Sequence, residues 1–221
     1  LYASLAVHLA LGLKALYDRR PFRYRPVEAL QMGLGLAIPW LLLDHIVGTR
    51  GAQELYGLRP TYPPFLAFFL IDAPLLGLKQ AVTLVLVWLH GCVGLYYWLR
   101  LKPAFPRLAP VLLGIAVLVP VVSLLGFWQG GREVMRLAAD PAWRDANLSL
   151  GAAVPEAAFD RLRRIGSSAT WGYGALVLAV FAARLLREVA GRRAGLVAIT
   201  YPDGRTFRVP RGSSVLEASR I

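Results

Sequence analysis

Residues 78–101 read LKQAVTLVLVWLHGCVGLYYWLRL, and this stretch decides the fold class. Its charged side chains stand only near the two ends. At about 1.5 Å per residue, a helix of this length crosses the roughly 30 Å hydrocarbon core of a bilayer. The whole chain has the same character, since 57% of its 221 residues are hydrophobic and only 17% are charged. This composition excludes a disordered chain and indicates a membrane protein.

Four more apolar stretches predict membrane-spanning helices, so we expect an all-α membrane helical bundle with five spans in this chain. The other four spans are residues 1–17, 29–47, 108–128 and 169–189. The first of them is only just long enough to cross a bilayer. Because this stretch is already apolar at Leu1, we expect the chain to begin inside a membrane helix and to be a piece of a longer protein.

The segments between and within the spans carry three smaller predictions. Residues 62–76 are apolar and aromatic but short and bracketed by prolines, which predicts an interfacial or re-entrant piece. Residues 129–167 are polar, with a surface helix expected over residues 155–165. Pro39 and Pro120 lie inside spans and predict kinks, where neighbouring helices can satisfy the freed carbonyls.

The net charge of +12 comes from 25 Lys and Arg against 13 Asp and Glu. Nucleic-acid binding is one interpretation of so basic a chain. The basic residues, however, cluster at the ends of apolar runs, within residues 18–29, 100–107 and 184–193, so we expect no nucleic-acid partner. The positive-inside rule assigns these segments and the C-terminus to the cytoplasmic side.

Residues 194–221 have a different hydrophobic pattern from the apolar spans, and this pattern predicts the first β-hairpin of an α+β domain. β-branched residues alternate on both sides of Pro202-Asp203-Gly204, a turn in which Pro presets φ and Gly accepts a positive φ. The pattern predicts a β-hairpin, followed by a helix capped near Ser214. We expect the chain to stop before this domain can build a core.

The three histidines, His8, His45 and His90, all fall in predicted spans, where ionisable residues are costly and usually functional. Neutral imidazole is a good axial ligand for haem iron, and facing helices can supply a pair. Gly12 and Gly94 each follow a histidine by four residues, where a porphyrin needs a missing side chain. We expect His8 and His90 to bind one haem b and His45 to serve a second. The alternative is three histidines that only hydrogen-bond neighbouring helices.

Other polar residues give weaker signals. Arg50, at the outer end of the second span, could bind a haem propionate or a quinone carbonyl, or could anchor a helix end, and both interpretations stay open. Asp72 and Lys79 could form an ion pair, although two solvated interfacial charges are more common. Cys92 is the single cysteine, so the chain has no internal disulfide, and its apolar neighbours predict an inert thiol.

Three segments together resemble one family. They read GLAIPWLLLDHIVGTR (35–50), WLHGCVGLYYWLRLKP (88–103) and ITYPDGRTFRVPRGSSVLEASRI (199–221). They are similar to bacterial class III adenylate cyclases whose six-helix, haem-b-type membrane anchor resembles the cytochrome b subunits of succinate dehydrogenase and fumarate reductase. In that family a plant-type [2Fe–2S] ferredoxin domain follows the anchor, and the cyclase domain follows the ferredoxin.

The resemblance implies that residues 1–193 are a transmembrane haem-b-type anchor whose first helix is missing from this sequence. Residues 194–221 would then be the truncated start of the ferredoxin domain. The family's histidines match His8, His45 and His90, which implies one or two haems b. The [2Fe–2S] cluster belongs to the full-length protein and not to this stretch. One departure is Tyr96, which stands where family members often carry a histidine.

The resemblance implies redox sensing: the anchor signals through the ferredoxin to a cytoplasmic cyclase that makes cAMP from ATP. The implied partners are the bilayer of a bacterial inner membrane, a quinone as a candidate signal, and a second copy, because class III cyclases work as dimers. Two alternatives are a respiratory cytochrome b anchor and a haem-free structural anchor. A respiratory anchor ends after its last helix, so the fused tail favours the sensor. No catalytic residue is expected within this chain.

Overall fold

The computed structural model describes residues 1–19, 24–58, 61–148, 156–193 and 195–210, which are mostly helical. The helices are α1 (Tyr2–Asp18), α2 (Pro26–Ile46), α3 (Ala52–Tyr56), α4 (Tyr62–Ala67), α5 (Pro74–Leu99), α6 (Phe105–Leu137), α7 (Pro141–Leu148) and α8 (Glu156–Arg193). Two π-helical turns, Val47–Gly51 and Phe68–Asp72, follow α2 and α4. The strands are β1 (Leu196–Thr200) and β2 (Thr206–Pro210). The chain divides into two compact units, residues 1–29 with 172–221 and residues 30–171.

Within the described ranges, four helical segments are long and apolar enough to cross a membrane. They are Pro26–Tyr56, Pro74–Leu99, Phe105–Leu137 and Ala157–Gly191. The fifth expected span corresponds to α1, whose 17 residues leave it outside this set, so five spans are not confirmed. Large apolar side chains of α6, such as Leu113 and Leu118, are more than half exposed. A helix that is apolar all round needs either a protein core or lipid around it.

The polar segment after the α6 span is more helical than expected. α6 continues past residue 128 to Leu137, because the residues that follow include good helix formers and no proline. The expected surface helix over residues 155–165 and the last span form one continuous helix, α8. A glycine such as Gly166 costs only about 1 kcal/mol relative to alanine in a helix, which is too little to end it.

A neighbouring helix replaces the hydrogen bond that α6 loses at Pro120. Proline has no N–H, so the carbonyl of Ala116, four residues earlier, loses its helical donor. The indole Nε1 of Trp88 in α5 donates a hydrogen bond to this carbonyl over 2.8 Å. The expectation that a neighbouring helix satisfies the freed carbonyl is therefore confirmed at Pro120.

The short apolar segment Tyr62–Asp72 packs against the end of α6 and forms the core of the unit 30–171. Leu66 is 2% exposed and lies with Ala67 and Val134 in one cluster. The partly buried side chains packed on this cluster are Phe127, Trp143 and Leu148. A Cβ on Gly131 would collide with Leu70, so the missing side chain permits the close approach. The depth of this segment in a membrane stays a prediction.

The tail forms the expected hairpin. β1 and β2 pair antiparallel, with Leu196 opposite Pro210 and Thr200 opposite Thr206. In the turn, Gly204 has a φ of +81°, which favours glycine. The side chain of Asp203 accepts a hydrogen bond from the N–H of Arg205 over 3.1 Å. The helix expected near Ser214 lies outside the described residues.

Candidate functional site

The register of α2 against α5 positions two of the three histidines. Lys79 Nζ lies 2.8 Å from Asp44 Oδ2, and Gln31 Nε2 donates to the main-chain oxygen of His90 over 3.1 Å. Later residues of α5 thus meet earlier residues of α2, which makes the two helices antiparallel. His45 and His90, one on each helix, are consequently held in a fixed relation along the pair.

His45 and His90 do not come together. The imidazole of His90 lies beside Gly35, and His45 follows Gly35 by ten residues on α2, which is roughly 15 Å along a helix. The assignment of the two histidines to different haems stays a prediction. His8 lies on α1 in the other unit. Its pairing with His90 stays a prediction.

His90 contacts a glycine that sequence spacing did not identify. A Cβ on Gly35 would lie 3.1 Å from His90 Cε1, so the imidazole is packed directly on the backbone of α2. The glycines chosen for their spacing behave differently: a Cβ on Gly94 would meet Gln31 Nε2 at 3.4 Å, and one on Gly12 would meet nothing within 4 Å. Spacing within one helix carried no signal for this contact, because it depends on the register between α2 and α5.

A cavity of about 780 Å³ opens beside His45, within the unit 30–171. Its volume falls in the range of small-molecule and cofactor sites, roughly 300–1,000 Å³. Its aromatic lining consists of Phe65, Phe68, Phe69 and Phe159. Its charged lining consists of Asp44, Asp72, Lys79, Arg144 and Asp145. The walls are therefore mainly apolar, with a few ionisable groups, as in sites that hold an amphipathic ligand.

His45 lines this cavity and has a buried ring nitrogen. Its Nδ1 is buried, and no hydrogen bond to this atom is found in the part of the chain that the structure describes. A buried polar nitrogen normally has a hydrogen-bond partner. A buried nitrogen without a protein partner is therefore a candidate for binding another group. The hydroxyl of Thr49, in the π-helical turn that follows, donates to the His45 carbonyl over 2.6 Å. Such π-helical turns are frequent at functional sites. By this test, an imidazole-bound group such as haem fits at His45.

Two polar side chains have partners that differ from the expected ones. Lys79 pairs with Asp44 across two helices and not with Asp72, and its side chain is 26% exposed, so the ion pair considered between Asp72 and Lys79 is not formed. Arg50 lies 2.5 Å from Glu54 and contacts Gln53 on its own helical stretch. Those contacts suit an anchored helix end, while binding of a propionate or quinone by Arg50 stays a prediction.

Among the described residues, no three His, Cys, Asp or Glu side chains form a group that could hold a metal ion. A haem takes its four equatorial nitrogens from the porphyrin, so this finding concerns protein-only metal sites. Cys92 is a free, partly buried thiol.

Comparison of the chain with protein-family models, with curated proteins and with solved structures finds no match. Fold and site define the class as a helical protein with four candidate membrane spans, a C-terminal hairpin and a mainly apolar cavity that His45 lines.

Proposed function

We propose that this chain is the membrane anchor of a redox-sensing signalling protein of the bacterial inner membrane. In this proposal haem b binds at histidines of the spans. The C-terminal hairpin begins a cytoplasmic ferredoxin domain with a [2Fe–2S] cluster, and an adenylate cyclase that acts as a dimer follows. A quinone is a candidate signal. The observation that carries the proposal is His45, which lines a large, mainly apolar cavity and whose Nδ1 is buried without a hydrogen-bond partner among the described residues.

The residues around the cavity have separate tasks in this proposal. His45 would hold the haem through an imidazole nitrogen, and the phenylalanine side chains of α4 and the adjoining π-helical turn would exclude water from the bound group. The ion pair between Asp44 and Lys79 fixes α2 against α5 next to His45, so that the imidazole keeps its position. When bound, haem supplies a one-electron couple.

The fused tail supports a sensor over a respiratory anchor. α8 ends at Arg193 and β1 begins at Leu196, so a folded hairpin follows the last helix almost directly. A linker this short transmits helix displacement better than a long flexible one. A respiratory electron carrier has no need of such a connection, because its iron–sulfur subunit is a separate chain.

A haem-free structural anchor is the second candidate, and one observation favours it. The His90 ring packs on the α2 backbone at Gly35, which is how a histidine that only holds two helices together would lie. The second candidate predicts that none of the three histidines carries a spectral signature.

An absorption spectrum separates the two candidates. The chain is expressed with excess haem precursor, purified in detergent, and measured as a reduced-minus-oxidised difference. We expect b-type bands whose intensity falls by the equivalent of at least one haem in His45→Ala. Cys92→Ala is the matched control, since it removes a small, partly buried side chain from a span without removing an imidazole. Wild-type protein without b-type bands would overturn the proposal in favour of the structural anchor.

A further inference from the structure

We propose that two arginines of α8 join the end of α1 to the helix that leads into the C-terminal hairpin, and that they transmit displacement of α1 to the hairpin. This arginine joint comprises Arg184, Arg187 and the main-chain carbonyls of residues 17–19. The inference rests on the proposed function in one respect, because it assigns the route by which an anchor would signal. Its geometry lies wholly within the unit formed by residues 1–29 and 172–221.

The contacts of the joint run from side chain to main chain. Arg184 Nε donates to the carbonyl of Arg19 over 2.8 Å. Arg187 Nη2 donates to the carbonyls of Tyr17 over 2.5 Å and Asp18 over 3.1 Å. The guanidinium of Arg187 also lies over the Tyr17 ring, 4.4 Å from its centroid. Three successive carbonyls at the end of α1 are therefore held by α8.

The physical reason for the joint lies in the α1 terminus. The last carbonyls of a helix have no intrahelical donor, and the helix dipole concentrates partial negative charge there. The last turn of α1 contains no basic residue of its own. Arg184 and Arg187 of α8 bring hydrogen-bond donors and positive charge to these carbonyls from far away in the sequence.

Burial makes the joint resistant to sliding. Arg184 is only 3% exposed, and a guanidinium removed from water is costly unless hydrogen bonds compensate it. A small separation of α1 from α8 would break the bond to the Arg19 carbonyl without giving Arg184 access to water. The energetically favoured response to a displacement of α1 is consequently that α8 moves with it.

The joint continues in both directions along the chain. The Arg19 guanidinium lies 2.8 Å from Glu28 in the first turn of α2, and it also covers the Tyr24 ring. On the other side, α8 ends six residues after Arg187, and Gly195, with a φ of +97°, leads into β1. The end of α1, the start of α2 and the stem of the hairpin thus belong to one connected set of contacts.

A double-perturbation experiment tests the coupling in the full chain in lipid nanodiscs. Ala15→Gly loosens the last turn of α1, where the Arg19 N–H donates to the Ala15 carbonyl. Amide exchange of hairpin residues 196–210 is the readout. We expect Ala15→Gly to raise hairpin exchange about two- to fivefold in the wild-type background, in line with the strength of charge–dipole contacts. In the Arg184→Gln/Arg187→Gln background, Ala15→Gly should change it by less than about 1.5-fold.

Arg193→Gln is the matched control for Arg187→Gln, because each removes one positive charge from α8 and Arg193 lies beyond the contacts with the α1 carbonyls. Its background should retain the full response to Ala15→Gly. If the double variant does not fold, Arg187→Gln alone replaces it, and Arg187→Lys should restore part of the coupling. An equal response in all backgrounds, or no response in the wild type, would overturn the joint. The His45 spectrum tests the proposed function separately, since loss of haem leaves these exchange ratios measurable.

Discussion

Replacing Trp88 by phenylalanine tests how α5 and α6 are held together. The Trp88 indole is the donor that the Ala116 carbonyl receives in place of the missing N–H of Pro120. A carbonyl left without a donor in a protein interior costs about 1–3 kcal/mol, while interhelical hydrogen bonds in membranes contribute about 0.6–1.7 kcal/mol. We expect Trp88→Phe to lower the free energy of unfolding by about 1–2 kcal/mol, because the hydrogen bond and some packing are lost together.

A double-mutant cycle separates the hydrogen bond from the packing. Pro120→Ala returns an N–H to α6, so the Ala116 carbonyl regains a helical donor. In that background Trp88→Phe should lose only packing, which gives a coupling energy of about 1 kcal/mol. Trp128→Phe is the control, because this indole on α6 is exposed, and it should change stability by less than about 0.5 kcal/mol. Far-UV circular dichroism during unfolding in mixed micelles measures each variant. An equal cost of Trp88→Phe in both backgrounds would refute the reasoning.

Three further predictions concern other parts of the chain. Gly35→Val forces the His90 imidazole away from α2 and should lower the unfolding free energy by about 1–3 kcal/mol in the same micelle assay; unchanged stability would contradict the observed packing. A guanidinium in the turn lowers the pKa of the Asp203 carboxyl, so the hairpin is most stable above the ordinary Asp pKa and loosens as pH falls through the lowered value. Amide exchange should follow this acid transition in the wild type and lack it in Asp203→Asn. Single cysteines at positions 23 and 147, in a Cys92→Ala background, should react with an impermeant label from opposite sides; labelling of both from outside would exclude the expected topology.

The sequence predicted the long helices well because hydrophobic burial in lipid acts on a whole stretch at once. Any helix of sufficient length and apolarity satisfies the bilayer, whatever its neighbours are. Helix ends follow weaker and more local forces. α6 passes its expected end by nine residues, since the polar residues after 128 favour a helix as much as a loop. The hairpin was predictable because the residues that form its turn are adjacent in the sequence, so no long-range contact is needed to identify it.

The contacts of the candidate site depend on helix register, which sequence spacing does not contain. Along the chain, Asp72 is the near acidic partner for Lys79, yet the antiparallel register of α2 and α5 puts Asp44 there. In the same way, spacing within one helix selects Gly94 as the glycine next to His90, while packing between helices puts Gly35 against the ring. The residue types identified candidate site residues, but sequence spacing did not predict which residues of different helices pair.

Register also explains why two histidines in similar spans have different surroundings. His90 faces Gly35, which has no Cβ, so the imidazole ring packs closely on the α2 backbone. The Gly35 carbonyl also lacks its helical donor, because Pro39 has no N–H. His45 lies ten residues further along α2, where the helix widens into a π-helical turn, and it lines the phenylalanine-lined cavity. Because a bound group needs space, and His45 lines the cavity while the His90 ring is packed on Gly35, a bound group requires the smaller rearrangement at His45. Haem at His90 would require the α2–α5 contact at Gly35 to open, and such opening would be a structural change that depends on the cofactor.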